Sequence, residues 1–158
     1  MLPSADKRTF GPNVIYLWGY TLTGGRQRER SEQLMSESGY GKAVLEELRP
    51  LHRELRHAIP DVYKGFGEFH HAAFAAGELD VKTKELIAFA IGVIQRCDGC
   101  IASHAEGAAK AGATAQEAAE AIGVAMLMNG GPATIYGPRA YAAFVEFTSA
   151  TATQTPAA

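Results

Sequence analysis

Cysteine, tryptophan, long apolar runs and any excess of one charge are all scarce in this chain of 158 residues. With two cysteines and one tryptophan, it cannot be a disulfide-stapled scaffold and must rely on an ordinary core. Lys plus Arg number 15 against 17 Asp plus Glu, spread along the sequence. No basic stripe is available to track a phosphate backbone, so nucleic-acid binding has no support. No apolar run approaches the ~18 residues that a membrane span needs, the best candidate being Ala88 to Ile94 with its neighbours. Strand-like alternation is absent as well. What remains is a chain that is 47% apolar, enough for one soluble core and too short for two comfortable domains.

Lys7 and Arg8 precede an apolar stretch from Val14 to Leu22, which superficially resembles a secretory signal. Asn13, Tyr16, Trp18, Gly19 and Tyr20 interrupt it, and no small-x-small cleavage site follows before the charged run from Arg26 to Arg30. The expectation is a cytoplasmic protein. In a reducing compartment a C-x-x-C pair is more often catalytic or metal-binding than structural, which makes the two cysteines worth following.

Residues 1–39 read as an N-terminal head with no defensible helical period, rich in Gly, Thr, Arg and aromatics. The head is either an arm that lays Tyr16, Leu17 and Trp18 on a neighbouring subunit or an extension upstream of an internal start at Met35. Residues 40–148 then read as one helical domain. A first helix over 41–59 carries Val44, Leu45, Leu48, Leu51, Leu55 and Ile59, with Pro50 expected to bend or divide it. A second fits Val62 to Ala76, with Phe66, Phe69, His70, Ala73 and Phe74 on one face and Gly77 as its stop. Asp80 caps a third over 81–95, which has almost no polar face and must be central. A fourth runs from Ile101 to Ala111, ended by Gly112; Thr114 and Glu117 form a capping box for a fifth that reaches Met128. Pro132 opens a sixth that reaches Phe147, and residues 149–158 are expected to fray. The fold class is therefore all-α, a compact bundle of about six helices. Its fourth and fifth helices are crowded with alanine, and so thin a core favours self-association.

The chemistry-bearing string is Glu85, then Cys97, Cys100 and His104. A C-x-x-C turn that leads into a helix holds two sulfurs within bridging reach, and the helix N-terminus stabilises a thiolate. Which cysteine is the more reactive stays open: Cys97 lies nearer the helix start, whereas Cys100 lies one turn before His104, a base able to take or return its proton. A carboxylate in apolar surroundings either titrates high or finds a hydrogen-bonding partner, so Glu85 is a candidate to orient that imidazole. The rival is zinc, with Cys97, Cys100 and His104 as ligands and His70 or His71 as a fourth. No second C-x-x-C or Cys-His pair completes such a site, so no metal is expected. His70, His71 and Tyr136 read first as packed residues.

The span from about Phe66 to Phe147 resembles the carboxymuconolactone decarboxylase and AhpD-like alkylhydroperoxidase superfamily. The matching pieces are Gly77-Glu78-Leu79-Asp80, Thr83-Lys84-Glu85-Leu86-Ile87, Cys97-Asp98-Gly99-Cys100-Ile101, His104, Gly112-Ala113-Thr114 with Glu117, and Gly130-Gly131-Pro132. The resemblance implies a homotrimer or homohexamer with its redox centre near a subunit interface. It also implies reduction of peroxides or disulfides without metal, haem, flavin or other cofactor, with Glu85 and His104 as relay and Cys97 and Cys100 as the sulfur pair. The reductant implied is a dithiol, lipoyl or thioredoxin-like. Gly99 stands where some alkylhydroperoxidases carry a second histidine. Two alternatives stay open: a decarboxylase-like lyase, although that branch generally lacks the cysteine pair, and a non-catalytic redox-sensing oligomer.

Overall fold

The structure, a computed structural model, describes residues 25–152, which form seven α-helices and no strand. These are α1 (Gly25–Ser36), α2 (Lys42–Ala58), α3 (Pro60–Phe74), α4 (Val81–Gln95), α5 (Asp98–Lys110), α6 (Ala115–Asn129) and α7 (Gly131–Ala152). The all-α expectation of about six helices holds, and the seventh helix is α1, which falls within the head where no helical period was read. That segment, rich in Arg, Glu and Gln, has helix-forming side chains but no apolar period to reveal it, and it packs along α7. The suggested docking residues Tyr16, Leu17 and Trp18 lie outside the described residues. The seventh helix also passes the expected end at Phe147, where the Thr148 hydroxyl donates back to the carbonyls of Phe144 and Val145.

Pro50 does not divide α2. The helix ends before Ile59-Pro60, as the expected 41–59 span has it, and the proline occupies the first turn of α3, where its missing donor costs nothing. Asp80 caps α4 as expected, its Oδ1 accepting from Thr83 N at 2.7 Å. The Thr114–Glu117 capping box of α6 is complete, with bonds of 3.1 Å and 2.7 Å. Lys82 of α4 also donates to Glu117 at 2.7 Å, tying α4 to α6. That bond raises the Lys82 ammonium above its usual range and, with the Thr114 backbone N–H, lowers the Glu117 carboxyl.

Helices α4 to α7 form the packed part of the molecule. Phe89, Val93, Ile101 and Phe144 are fully enclosed there. Among the described residues, ten of the fifteen buried hydrophobic ones are alanine, so the core gains little area per residue and depends on close backbone approach. The buried alanines Ala102, Ala105 and Ala108 of α5 and Ala118 and Ala125 of α6 serve this core. One close approach is at Gly92, where an added Cβ would meet the Ile101 backbone nitrogen at 3.3 Å. Expected to be central, α4 does bury Glu85, Phe89, Gly92 and Val93, but Ile87 and Ile91 stay about half exposed on its other side. Neither α2 nor α3 buries any residue; Leu51, Leu55, Ile59, Val62, Phe66 and Phe69 are exposed. Among the described residues, no helix is long and apolar enough to cross a membrane.

Candidate active site

Between α4 and α5 the chain turns sharply at Arg96, which adopts φ 56°, and Cys97 N returns to Gly92 O at 3.2 Å. Left-handed backbone at a non-glycine residue costs of order 1 kcal/mol and persists because the packed helices on either side impose it. The turn sets Cys97 at the N-cap of α5, where its Sγ accepts from Cys100 N at 3.2 Å. Cys97 and Cys100 are joined as a disulfide, with Cα atoms 5.2 Å apart. Cys97 is half-buried and Cys100 exposed.

One turn further along α5, His104 Nδ1 lies 2.8 Å from Glu85 Oε2. With the carboxylate ionised, Nδ1–H is the donor of this bond and the carboxylate its acceptor. Glu85 therefore found the bonded partner that its apolar helix required. Gly107 makes room for the pair: a Cβ there would stand 2.5 Å from the Glu85 carboxyl carbon. A flat stack fixes the other side of the imidazole. Phe74 lies on His104 with ring centres 5.4 Å apart, and His70 lies on Phe74 at 4.6 Å, with interplanar angles of 11° and 16°.

These groups border an open groove of about 660 Å³ between α2, α3 and α5. All of Cys97, Cys100 and His104 line it, and Glu85 supports it from behind. His70, read from the sequence as a packed residue, lines the groove and takes part in the stack; His71 does neither. Tyr136 packs against the core under the Arg139 guanidinium, away from the groove. The zinc arrangement is not assembled: the sulfurs are bonded to each other, His104 faces Glu85, and no cluster with metal-holding geometry occurs among the described residues.

Several lining residues escaped the sequence reading. Arg49, His52 and Arg56 of α2 share the groove wall with Leu45 and Leu48, while Ser103 lies beside Cys100. Spacings of three and four residues do place the α2 group on one face, but in sequence such a face is indistinguishable from a solvated one. Glu146 was also missed. Buried on α7, it accepts from Ser38 Oγ at 2.8 Å, Gly41 N at 3.2 Å and Lys42 N at 3.0 Å, and so caps α2 from across the fold.

Fold and site together define an all-α protein that carries a cystine at the start of one helix beside a carboxylate–imidazole pair. The chain belongs to the carboxymuconolactone decarboxylase family, whose model matches residues 60–144. An uncharacterized protein of the cox locus of Paracoccus denitrificans is 42% identical over 77 residues, covering 49% of this chain and 69% of its own. A second uncharacterized relative, from Cupriavidus necator, is 34% identical over 65% of this chain and 91% of its own. Among solved structures, a carboxymuconolactone decarboxylase family protein from Legionella pneumophila superposes with a TM-score of 0.65 at 38% identity, covering 67% of this chain and 95% of that one. A Thermotoga maritima protein gives 0.64 at 28% identity, over 71% and 98%. The four expected site residues fall inside the matched segment, whereas Arg49, His52 and Arg56 fall ahead of it.

Proposed function

We propose that the protein is a thiol-dependent peroxidase or disulfide reductase of the AhpD-like type, cycling Cys97 and Cys100 between dithiol and disulfide with Glu85 and His104 as its proton relay. The observation that carries this reading is the cystine at the start of α5, one turn from an imidazole held at 2.8 Å by a buried carboxylate, in an open groove.

In the reduced protein, His104 takes the Cys100 thiol proton. The Cys100 thiolate attacks the distal peroxide oxygen, an S–O bond forms as the O–O bond breaks, and the departing alkoxide receives the proton as alcohol, or as water from hydrogen peroxide. The Cys97 thiol then displaces the sulfenic hydroxyl as water and closes the disulfide. Exposure favours Cys100 as the attacking sulfur, while the α5 N-terminus and its Cys100 N–H favour Cys97 as the thiolate that leaves when an incoming dithiol reopens the bond. A lipoyl or thioredoxin-like dithiol in the cytoplasm fits this last step. The cycle calls for no metal or organic cofactor. The exposed apolar side chains of α2, α3 and α4 support a closed homo-oligomer, trimeric or hexameric, which light scattering tests; a monomer at micromolar concentration removes that part.

The deciding experiment is peroxide consumption with several dithiol donors. Turnover is expected in the native protein and not in Cys97→Ser or Cys100→Ser. Family membership keeps a lyase reading in view, and it gains ground if the double cysteine variant still turns over a lactone acid. Disulfide formation without peroxide turnover leaves a redox-sensing module instead.

A further inference from the structure

The wall of the groove opposite the cystine carries cations that no part of the mechanism uses. Along α2, Leu45, Leu48, Arg49, His52 and Arg56 follow one another at helical spacing and all line the groove, with Phe66 of α3 beside them. Leu51 and Leu55 of the same helix are exposed. Two arginines and a histidine of this helix thus share the groove wall with two of its leucines, while its acids Glu46, Glu47 and Glu54 do not line the groove. Neither arginine forms an ion pair among the described residues. Glu106, the acid on the facing helix that lines the same groove, is engaged by Lys110 at 2.9 Å, and the Arg56 guanidinium rests over the Tyr63 ring at 5.3 Å. Tyr63 is itself bonded to His52 Nδ1 through its hydroxyl at 2.8 Å, which ties α2 to α3 beside the groove.

We propose that this wall is a binding site for the carboxylate of an amphiphilic substrate, with Arg49 and Arg56 holding the anionic head and Leu45, Leu48 and Phe66 covering the apolar chain. The proposal rests on the peroxidase reading and deepens it: the preferred peroxide is an organic hydroperoxide that bears a carboxylate, with its O–O group at Cys100 and its acid on α2. Guanidinium is suited to a carboxylate through paired N–H donors, and a groove of about 660 Å³ lies within the usual range for small-molecule sites. A small inorganic anion would leave the mainly apolar lining uncovered, which is why a charged amphiphile fits better. These arginines lie ahead of the segment that the family model matches, on a helix that packs against α5.

Calorimetry on the intact protein with octanoate, octan-1-ol and inorganic phosphate tests the site without requiring turnover. Octanoate is expected to bind at least tenfold more tightly than octan-1-ol, with no measurable phosphate binding. Arg49→Gln should weaken octanoate by about tenfold, the scale of one lost charge-assisted hydrogen bond. The alcohol should change less than twofold, and Arg49→Lys should restore part of the loss. Arg56→Gln is the second variant, and circular dichroism melting confirms that each is folded. Equal affinity for acid and alcohol, or octanoate binding indifferent to both substitutions, overturns the site. Kinetics separates the two readings, by comparing a fatty-acid hydroperoxide with its methyl ester: peroxide turnover that does not distinguish acid from ester overturns the site and spares the peroxidase, whereas octanoate binding with no turnover of any peroxide does the opposite.

Discussion

Phe69 and Phe89 carry the same side chain, yet Phe89 is wholly enclosed in the α4–α7 bundle against Phe144, and Phe69 stands 70% exposed on α3. The contrast extends to the helices around them. In α4 to α7, caps close the N-termini of α4 and α6 and alanines let backbones meet, while α2 and α3 enclose nothing and rest on α5 and α4 along limited contacts. Lys84 Nζ fastens the end of α3 by donating to the carbonyls of Ala73 and Ala75, and Glu146 fastens the start of α2. The cysteines, His104 and Glu85 thus sit on the packed half, where geometry is held firmly, and the wall that would recognise a ligand sits on the loosely packed half. A reacting centre needs fixed distances, whereas a binding wall tolerates adjustment.

The largest expected effect lies in the packed half. His104→Gln should lower peroxide turnover by ~10²–10⁴-fold, the usual worth of a positioned acid–base group, and alkylation of the reduced protein near neutral pH should slow. Glu85→Gln should act in the same direction, with the double variant little worse than either single one, because the two work as a unit. Alkylation rates followed against pH decide it, and unchanged profiles in both variants would make the pair structural.

Next come the two phenylalanines. Phe89→Ala should cost ~3–5 kcal/mol in denaturant unfolding, as expected for an emptied core site. Phe69→Ala should stay within ~0.5 kcal/mol in an isolated subunit. A large loss at Phe69 that grows with protein concentration would break the comparison, since it would mean that α3 is buried in an assembly.

Glycines sharpen the same contrast. A methyl group at Gly107 meets the Glu85 carboxyl, so Gly107→Ala should cost ~1–3 kcal/mol and reduce turnover with it. At Gly65 in α3 nothing lies within 4 Å, and Gly65→Ala should stabilise by ~0.5–1 kcal/mol through helix propensity alone. Thermal melts of both variants give the two signs.

The smallest effect concerns the α4–α6 tie. Asp80 and Glu117 titrate below their ordinary values of 3.8 and 4.5, Asp80 through its Thr83 hydrogen bonds and Glu117 through Lys82. Their contribution is therefore present above those ordinary values and lost as pH falls through the lowered ones. Lys82 titrates above its ordinary 10.5, so its contribution is present below that value and lost as pH rises through the raised one. Melting temperature should fall slightly at both extremes, and Glu117→Gln should flatten both limbs. High salt should do likewise, because the pair is partly exposed.

Features decided within one or two helical turns were legible in the sequence itself. The Asp80 cap, the Thr114–Glu117 box and the C-x-x-C turn each depend on spacings that local backbone geometry converts directly into contact, and the one-turn step from Cys100 to His104 places both on the same groove. Glu85 was legible only in part: its apolar helix demanded a partner, but the sequence did not say which. Tertiary structure settled that by crossing α4 with α5 at Gly107, and it brought the His70 and Phe74 rings near-parallel to the same imidazole. It also decided what Pro50 left open, kept α1 helical without an apolar stripe, and supplied from Glu146 the cap that α2 lacks locally. The groove-facing arginines belong with these. A helical face carrying Arg49, His52 and Arg56 reads as solvated until a neighbour is set opposite it, and only the packing of α2 across α5 makes it a wall of the site.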